Sequence, residues 1–188
     1  LIGPNTLYYV IVRPKGKLRE GFDFSDEKVR KPALLRPEMG ERGTGDMATT
    51  VIAITNQKGG VGKTTTAAAL LTGLHRRGAA VLGVDMDPQG SLGFSLGLDI
   101  EHCTTIYDVF RGQAEPEQAI VRTDTCDILP SNILLSGAEL EFNRPGREFL
   151  LKTALSKVED QYDYIIIDTP PALSLLTVNA YVATDSLI

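Results

Sequence analysis

The fold is decided by the stretch Thr49-Thr50-Val51-Ile52-Ala53-Ile54-Thr55-Asn56-Gln57-Lys58-Gly59-Gly60-Val61-Gly62-Lys63-Thr64-Thr65. Thr49 to Thr55 is β-branched and apolar, the composition of a buried strand, and it runs directly into a glycine-rich loop. Behind the loop, Lys63 to Arg77 sets Ala67, Leu70, Leu71 and Leu74 at the i, i+3, i+4, i+7 spacing that buries one face of a helix. Arg76 and Arg77 suit the negative end of that helix, and Gly78 suits its stop. Strand, glycine loop and helix in this order hold a polyphosphate with backbone N–H groups at the positive end of a helix. In the general pattern G-x-x-x-x-G-K-[ST], Lys63 reaches the β- and γ-phosphates and the Thr64 hydroxyl ligates magnesium. Gln57 stands where the pattern has its first glycine, and Lys58 adds a second lysine inside the loop.

Working outward, Ala79 to Val84 is a second continuous apolar run, ending in Asp85-Met86-Asp87-Pro88, and Tyr164 to Ile167 is a third, ending in Asp168-Thr169-Pro170-Pro171. Continuous rather than alternating apolar strands, separated by helical segments, predict an α/β fold with a mainly parallel sheet and helices on both faces, and the phosphate-loop pattern after the first strand makes the expected fold P-loop NTPase-like. In such sheets ligands sit beyond the carboxyl ends of the strands, where all three runs carry their polar residues. Thr105 to Arg111 and Glu115 to Val121 read as short helices, Asp127 to Pro130 as a strand, and Arg147 to Asp160 as a longer helix with Leu150, Leu151, Ala154, Leu155 and Val158 on its apolar face. Ser174 to Ala183 reads as a further helix. Asp185 to Ile188 reads as the entry to another strand, so the domain is expected to be incomplete at the C-terminus.

Residues 1–46 lack sustained periodicity, contain Pro4, Pro14, Pro32 and Pro37, and finish in the polar run Gly40-Glu41-Arg42-Gly43-Thr44-Gly45-Asp46. They are expected to form a poorly structured extension or upstream sequence, with Met47 beginning the nucleotide-binding domain over 47–188. Residues 1–46 hold nine Lys/Arg against seven Asp/Glu, so 47–188 carry 10 − 17 = −7. Nucleic-acid binding normally requires a basic stripe, so DNA binding by this part is not expected. No apolar run approaches the roughly 18 to 20 residues of a membrane span, and the expectation is a cytoplasmic protein. The two cysteines, Cys103 and Cys126, have neither zinc-site spacing nor the density of a disulfide scaffold. His75 and His102 lack a neighbouring nucleophile or ligand spacing and read as surface residues.

Three carboxylates remain. Asp85 and Asp87, two apart, should face opposite ways if the strand continues; one can orient an attacking water, and the other can bond to the loop or to magnesium-bound water. Helix capping or a turn before Pro88 is the competing reading for this pair. Asp168 fits the Walker B position, where a carboxylate holds magnesium opposite Thr64.

The variant loop Lys58-Gly59-Gly60-Val61-Gly62-Lys63-Thr64-Thr65, together with Val84-Asp85-Met86-Asp87-Pro88-Gln89-Gly90, Leu129-Pro130-Ser131-Asn132 and Ile167-Asp168-Thr169-Pro170-Pro171, resembles the ParA/Soj chromosome-partitioning ATPases of the deviant Walker A, or ParA/MinD, superfamily. The resemblance covers about 48–188. It implies an ATP-binding and hydrolysing dimerisation switch for chromosome or plasmid partitioning, dependent on ATP and Mg2+. It also implies a ParB-type partner, and nonspecific DNA binding through a C-terminal region that this chain lacks. By position, Lys58 would contact nucleotide across a dimer interface, Lys63 and Asp87 would join Lys58 in catalysis, and Gly59, Gly60, Val61, Gly62, Lys63, Thr64, Thr65 and Asp85 would bind the nucleotide. Thr64 and Asp168 would hold the metal. Two further readings stay open: a related switch that positions another cellular cargo, and a nucleotide-binding module without turnover.

Overall fold

The computed structural model describes residues 11–12 and 48–188 apart from residue 143. The extension assigned to 1–46 therefore lies, save for Ile11–Val12, outside the described residues. Among the described residues a sheet of seven strands forms the centre: β1 (Ile11–Val12), β2 (Thr50–Ile54), β3 (Val81–Asp85), β4 (Val121–Arg122), β5 (Asp127–Leu129), β6 (Tyr164–Asp168) and β7 (Ser186–Leu187). Their spatial order is β1-β7-β2-β6-β3-β5-β4. The five inner strands run parallel, whereas β1 and β4 pair antiparallel at the two edges. This is the mainly parallel α/β sheet expected from the apolar runs.

The helices are α1 (Lys63–His75), α2 (Ser91–Ser95), α3 (Ile106–Phe110), α4 (Pro116–Ala119), α5 (Ala138–Glu141), α6 (Leu150–Leu155) and α7 (Leu175–Ala183). They bury the sheet from both sides. On one face Ala67 and Leu71 of α1 and Leu92 of α2 pack with Ile54, Ile128 and Ile166. On the other, Ile106, Phe110, Leu151, Leu155, Leu176 and Ala180 pack with Val51, Ala53, Leu82, Val84, Ile165 and Ile167. All five residues of β3 are buried, so its unbroken apolar run follows from burial on both faces. Each such Leu or Ile contributes roughly 1.5–3 kcal/mol of transfer free energy. Gly83 lets α1 and β5 pack closely on that strand: a Cβ there would fall 2.6 Å from Ile128 Cδ1 and 2.7 Å from Leu71 Cδ1.

The helix expected over 147–160 is broken into pieces. Arg147–Phe149 and Glu159–Gln161 are 3-10 turns, and the α-helical part is only Leu150–Leu155. The end tightens because Lys157 N–H bonds to Ala154 C=O and Val158 N–H to Leu155 C=O, both three residues back, while the Ser156 hydroxyl bonds to Thr153 C=O. The predicted apolar face survives, with Leu151, Ala154, Leu155 and Val158 buried.

Candidate functional site

Strand register brings three chain segments to one edge of the sheet. Ile54 pairs with Asp168, and Asp168 pairs with Asp85, so the last residues of β2, β6 and β3 form one row at the carboxyl ends of the strands. Immediately beyond Ile54 the chain turns. Asn56 Oδ1 accepts the Lys58 N–H at 2.9 Å, a side-chain turn that starts the loop. Gly60 and Gly62 adopt φ of 70° and 89°, the left-handed region where an L side chain is strained. Gly62 also caps α1 with no side chain occupying the first turn, and that turn contains no acidic residue. The N–H groups that open α1 therefore face the loop with the helix's positive end behind them, the arrangement that binds phosphate.

Lys63 Nζ reaches back to the Lys58 carbonyl at 3.5 Å. Lys58 itself is exposed on the loop. The Thr64 hydroxyl donates to Asp168 Oδ2 at 2.6 Å. β6 is tied to the loop's strand by the Thr169 hydroxyl, which donates to Ile54 C=O at 2.7 Å. Thr64 and Asp168, expected to flank one metal, are thus brought together by the fold, and the charge of Lys63 lies close enough to act on Asp168. Among the described residues Asp168 Oδ1 is the buried side-chain oxygen without a hydrogen-bond partner. An orphaned carboxylate oxygen beside a threonine hydroxyl and an open phosphate cradle suits a hard divalent cation, which takes one or two carboxylates and completes its shell with phosphate and water. No group of three His, Cys, Asp or Glu side chains among the described residues could cage a metal by itself, so ligand oxygens would supply the rest.

Asp85 takes the capping geometry. It is fully buried. Its Oδ1 accepts the Asp87 N–H at 3.0 Å, and Oδ2 accepts the N–H groups of Leu92 at 2.9 Å and Gly93 at 3.4 Å, fastening the start of α2. The opposite-facing strand geometry does not arise, because the chain turns after Asp85, where Asp87 Oδ1 accepts the Gln89 N–H at 3.0 Å. Burial, and then the charge of Asp168, push the Asp85 carboxyl up to about 7, against the pull of its three amide donors. Burial likewise raises Asp168 to about 6; the Thr64 hydroxyl works against it, the charge of Asp87 adds to it, and Lys63 opposes it. Two carboxyls raised by burial in one row form a site where a cation relieves a penalty already built into the fold. Sequence reasoning missed the Asn56 turn and the Thr169 tie. Asn two residues before a glycine loop is the available signal for the first; the second is a tertiary contact with no local mark.

The glycine loop, the free helix terminus and the paired Thr64 and Asp168 define the class of P-loop nucleotide-binding domains. Residues 49–188 match the AAA domain family, AAA_31, and the chain belongs to that family. The chain is 48% identical over 144 residues to the sporulation initiation inhibitor protein Soj of Bacillus subtilis, an alignment covering 73% of this chain and 56% of Soj. It is 44% identical over 153 residues to the chromosome partitioning protein ParA of Myxococcus xanthus, covering 79% and 54%. The chain spans about half the length of these relatives. A solved structure of cobyrinic acid a,c-diamide synthase from Mycobacterium smegmatis, with ADP and magnesium bound, superposes with a TM-score of 0.70 at 48% identity, covering 72% of this chain and 56% of that one. Its name denotes a different chemistry, so it speaks for the fold and the nucleotide site and not for the biological role.

Proposed function

We propose that the chain is the nucleotide-binding part of a magnesium-dependent ATPase that acts as a dimerisation switch in chromosome or plasmid partitioning. The observation that carries this reading is the 2.6 Å bond from Thr64 to Asp168 beside an uncapped helix N-terminus, with the second oxygen of Asp168 unpartnered. In this reading the amides of Gly59 to Thr65 hold the phosphates of ATP, and Lys63 exchanges its contact with Lys58 C=O for the phosphate oxygens. Thr64 and Asp168 hold Mg2+, with Asp168 acting directly or through water. When bound, that ion offsets the charge of the β- and γ-phosphates. Asp87, half-buried on the turn after β3, orients the water that attacks the γ-phosphorus, and the products are ADP and phosphate. Asp85 supports the site from beneath by fixing α2 and the Asp87 backbone.

By resemblance, Lys58 reaches the nucleotide of a second copy, which suits its exposed position on the loop. A ParB-type partner accelerates turnover. Nonspecific DNA binding falls to parts of the protein outside this acidic stretch of net charge −7. Nucleoid association in the cytoplasm follows from that DNA binding; no described helix is long and apolar enough to cross a membrane. Phosphate release by the intact protein tests the enzyme reading: the wild type should turn over Mg-ATP, Lys63→Ala should not, and Asp87→Ala should keep only a slow residual rate. Equal rates in all three would refute it.

A further inference from the structure

We infer that Ser131 is a positioning residue for Asp87, an assignment that rests on the hydrolysis reading above. Asp87 lies on a turn rather than in a strand, so its carboxylate can be aimed only if its backbone is held in place. It is held at both ends. The Asp87 N–H is taken by Asp85 Oδ1 at 3.0 Å. The Asp87 carbonyl accepts the Gly90 N–H at 2.9 Å and, from across the sheet edge, the hydroxyl of Ser131 in a short bond.

Ser131 is fully buried. It follows β5, the strand beside β3, and the preceding Pro130 carbonyl accepts the Ile106 N–H at 2.9 Å at the start of α3. The hydroxyl therefore comes from a rigid neighbour. Contact between the two segments is close: a Cβ on Gly90, whose φ is 64°, would lie 3.1 Å from the Ser131 carbonyl oxygen and 2.4 Å from Ile100 Cδ1. Gly90 thus lets the turn sit near enough for the serine to reach Asp87. No described hydrogen bond uses Asp87 Oδ2, since Oδ1 is committed to Gln89. One oxygen fixes the turn, and the other remains to accept a hydrogen bond from water.

A buried serine that only satisfies a turn carbonyl would stabilise the fold equally whether or not residue 87 carries a carboxylate. A positioning serine acts through that carboxylate. The test is a double-mutant cycle of Ser131→Ala with Asp87→Ala in the intact protein, reading Mg-ATP turnover, alongside amide hydrogen exchange without nucleotide. Ser131→Ala should lower kcat about tenfold with KM within about twofold, as expected for loss of one hydrogen bond. It should cause no further loss in the Asp87→Ala background. Exchange at residues 86–90 should quicken about tenfold while α1 is unchanged. Equal losses in both backgrounds, or wild-type turnover in Ser131→Ala, would overturn the assignment while leaving the ATPase reading intact. An inert wild type would instead sink the ATPase reading, and unchanged exchange at 86–90 would independently overturn the clamp.

Discussion

The Thr64 hydroxyl and the Asp168 carboxylate, 104 positions apart in sequence, meet at 2.6 Å. That contact links the first turn of α1 to the end of β6, and a shared metal would replace it by taking both side chains as ligands, directly or through water. Thr64→Ala should leave the fold intact, weaken magnesium-dependent ATP affinity about 10- to 100-fold, and leave metal-free binding nearly unchanged. Titration with and without a chelator reads the difference. Equal losses under both conditions would place Thr64 outside the metal shell.

The raised carboxyls make stability depend on pH with a definite sign. Asp85 and Asp168 sit at about 7 and about 6 in the fold, against 3.8 when unperturbed. Between about pH 4 and 7 the unfolded chain has therefore lost protons that the native protein keeps, so stability falls as pH rises through that window and levels off above it. Without nucleotide, the protein should melt several degrees higher at pH 5 than at pH 8. Asp168→Asn should shrink the difference and raise stability at pH 8, by on the order of 1–3 kcal/mol, while losing metal-dependent binding. A melting temperature that climbs with pH would count against it.

Gly83→Ala tests the close approach of α1 to the sheet. The new Cβ would meet Leu71 and Ile128 at their flexible ends, so the cost should be near the low end of overpacking, about 1 kcal/mol, lowering the melting temperature by about 2–4 °C. ATP affinity should not change. Gly83→Val should prevent folding, and a stable Gly83→Val protein would mean the packing is wrong.

The two thiols should separate kinetically. Burial, then the charge of Asp127, lifts Cys126 up to about 11, and it is buried in the α1 side of the core. Cys103 is partly exposed. A disulfide reagent at pH 8 should label Cys103 first and reach Cys126 only on unfolding. Simultaneous labelling of both would show a looser core.

Much of the site could be read from sequence because it is set by local rules. Glycines at 60 and 62 demand a loop, the Ala67 and Leu71 stripe demands a helix, and the unbroken Val81–Val84 and Tyr164–Ile167 runs demand buried strands ending at Asp85 and Asp168. Asp85 was less legible, since reading its direction assumed a strand that in fact ends there. Two of its three amide donors, Leu92 and Gly93, belong to α2, a helix of five residues with Gly93 inside it. Such a helix has no periodicity to detect; it is held by the Asp85 carboxylate and by Ile100, whose Cγ2 would lie 2.9 Å from a Cβ on Gly93. The edge strand β4, two residues long, likewise owes its existence to pairing with β5. The long helix expected over 147–160 fails for a similar reason: its apolar spacing is real, but bonds to carbonyls three residues back end it after Leu155.

Every proposed role of the site depends on the backbone of Gly59 to Thr65 holding a nucleotide's phosphates. Calorimetric titration of the intact protein with Mg-ATP, wild type beside Lys63→Ala, tests this most directly. Saturable binding at one site per chain, weakened at least about tenfold in Lys63→Ala, is the expected result. Absence of saturable binding, or equal affinity in the two proteins, would contradict it.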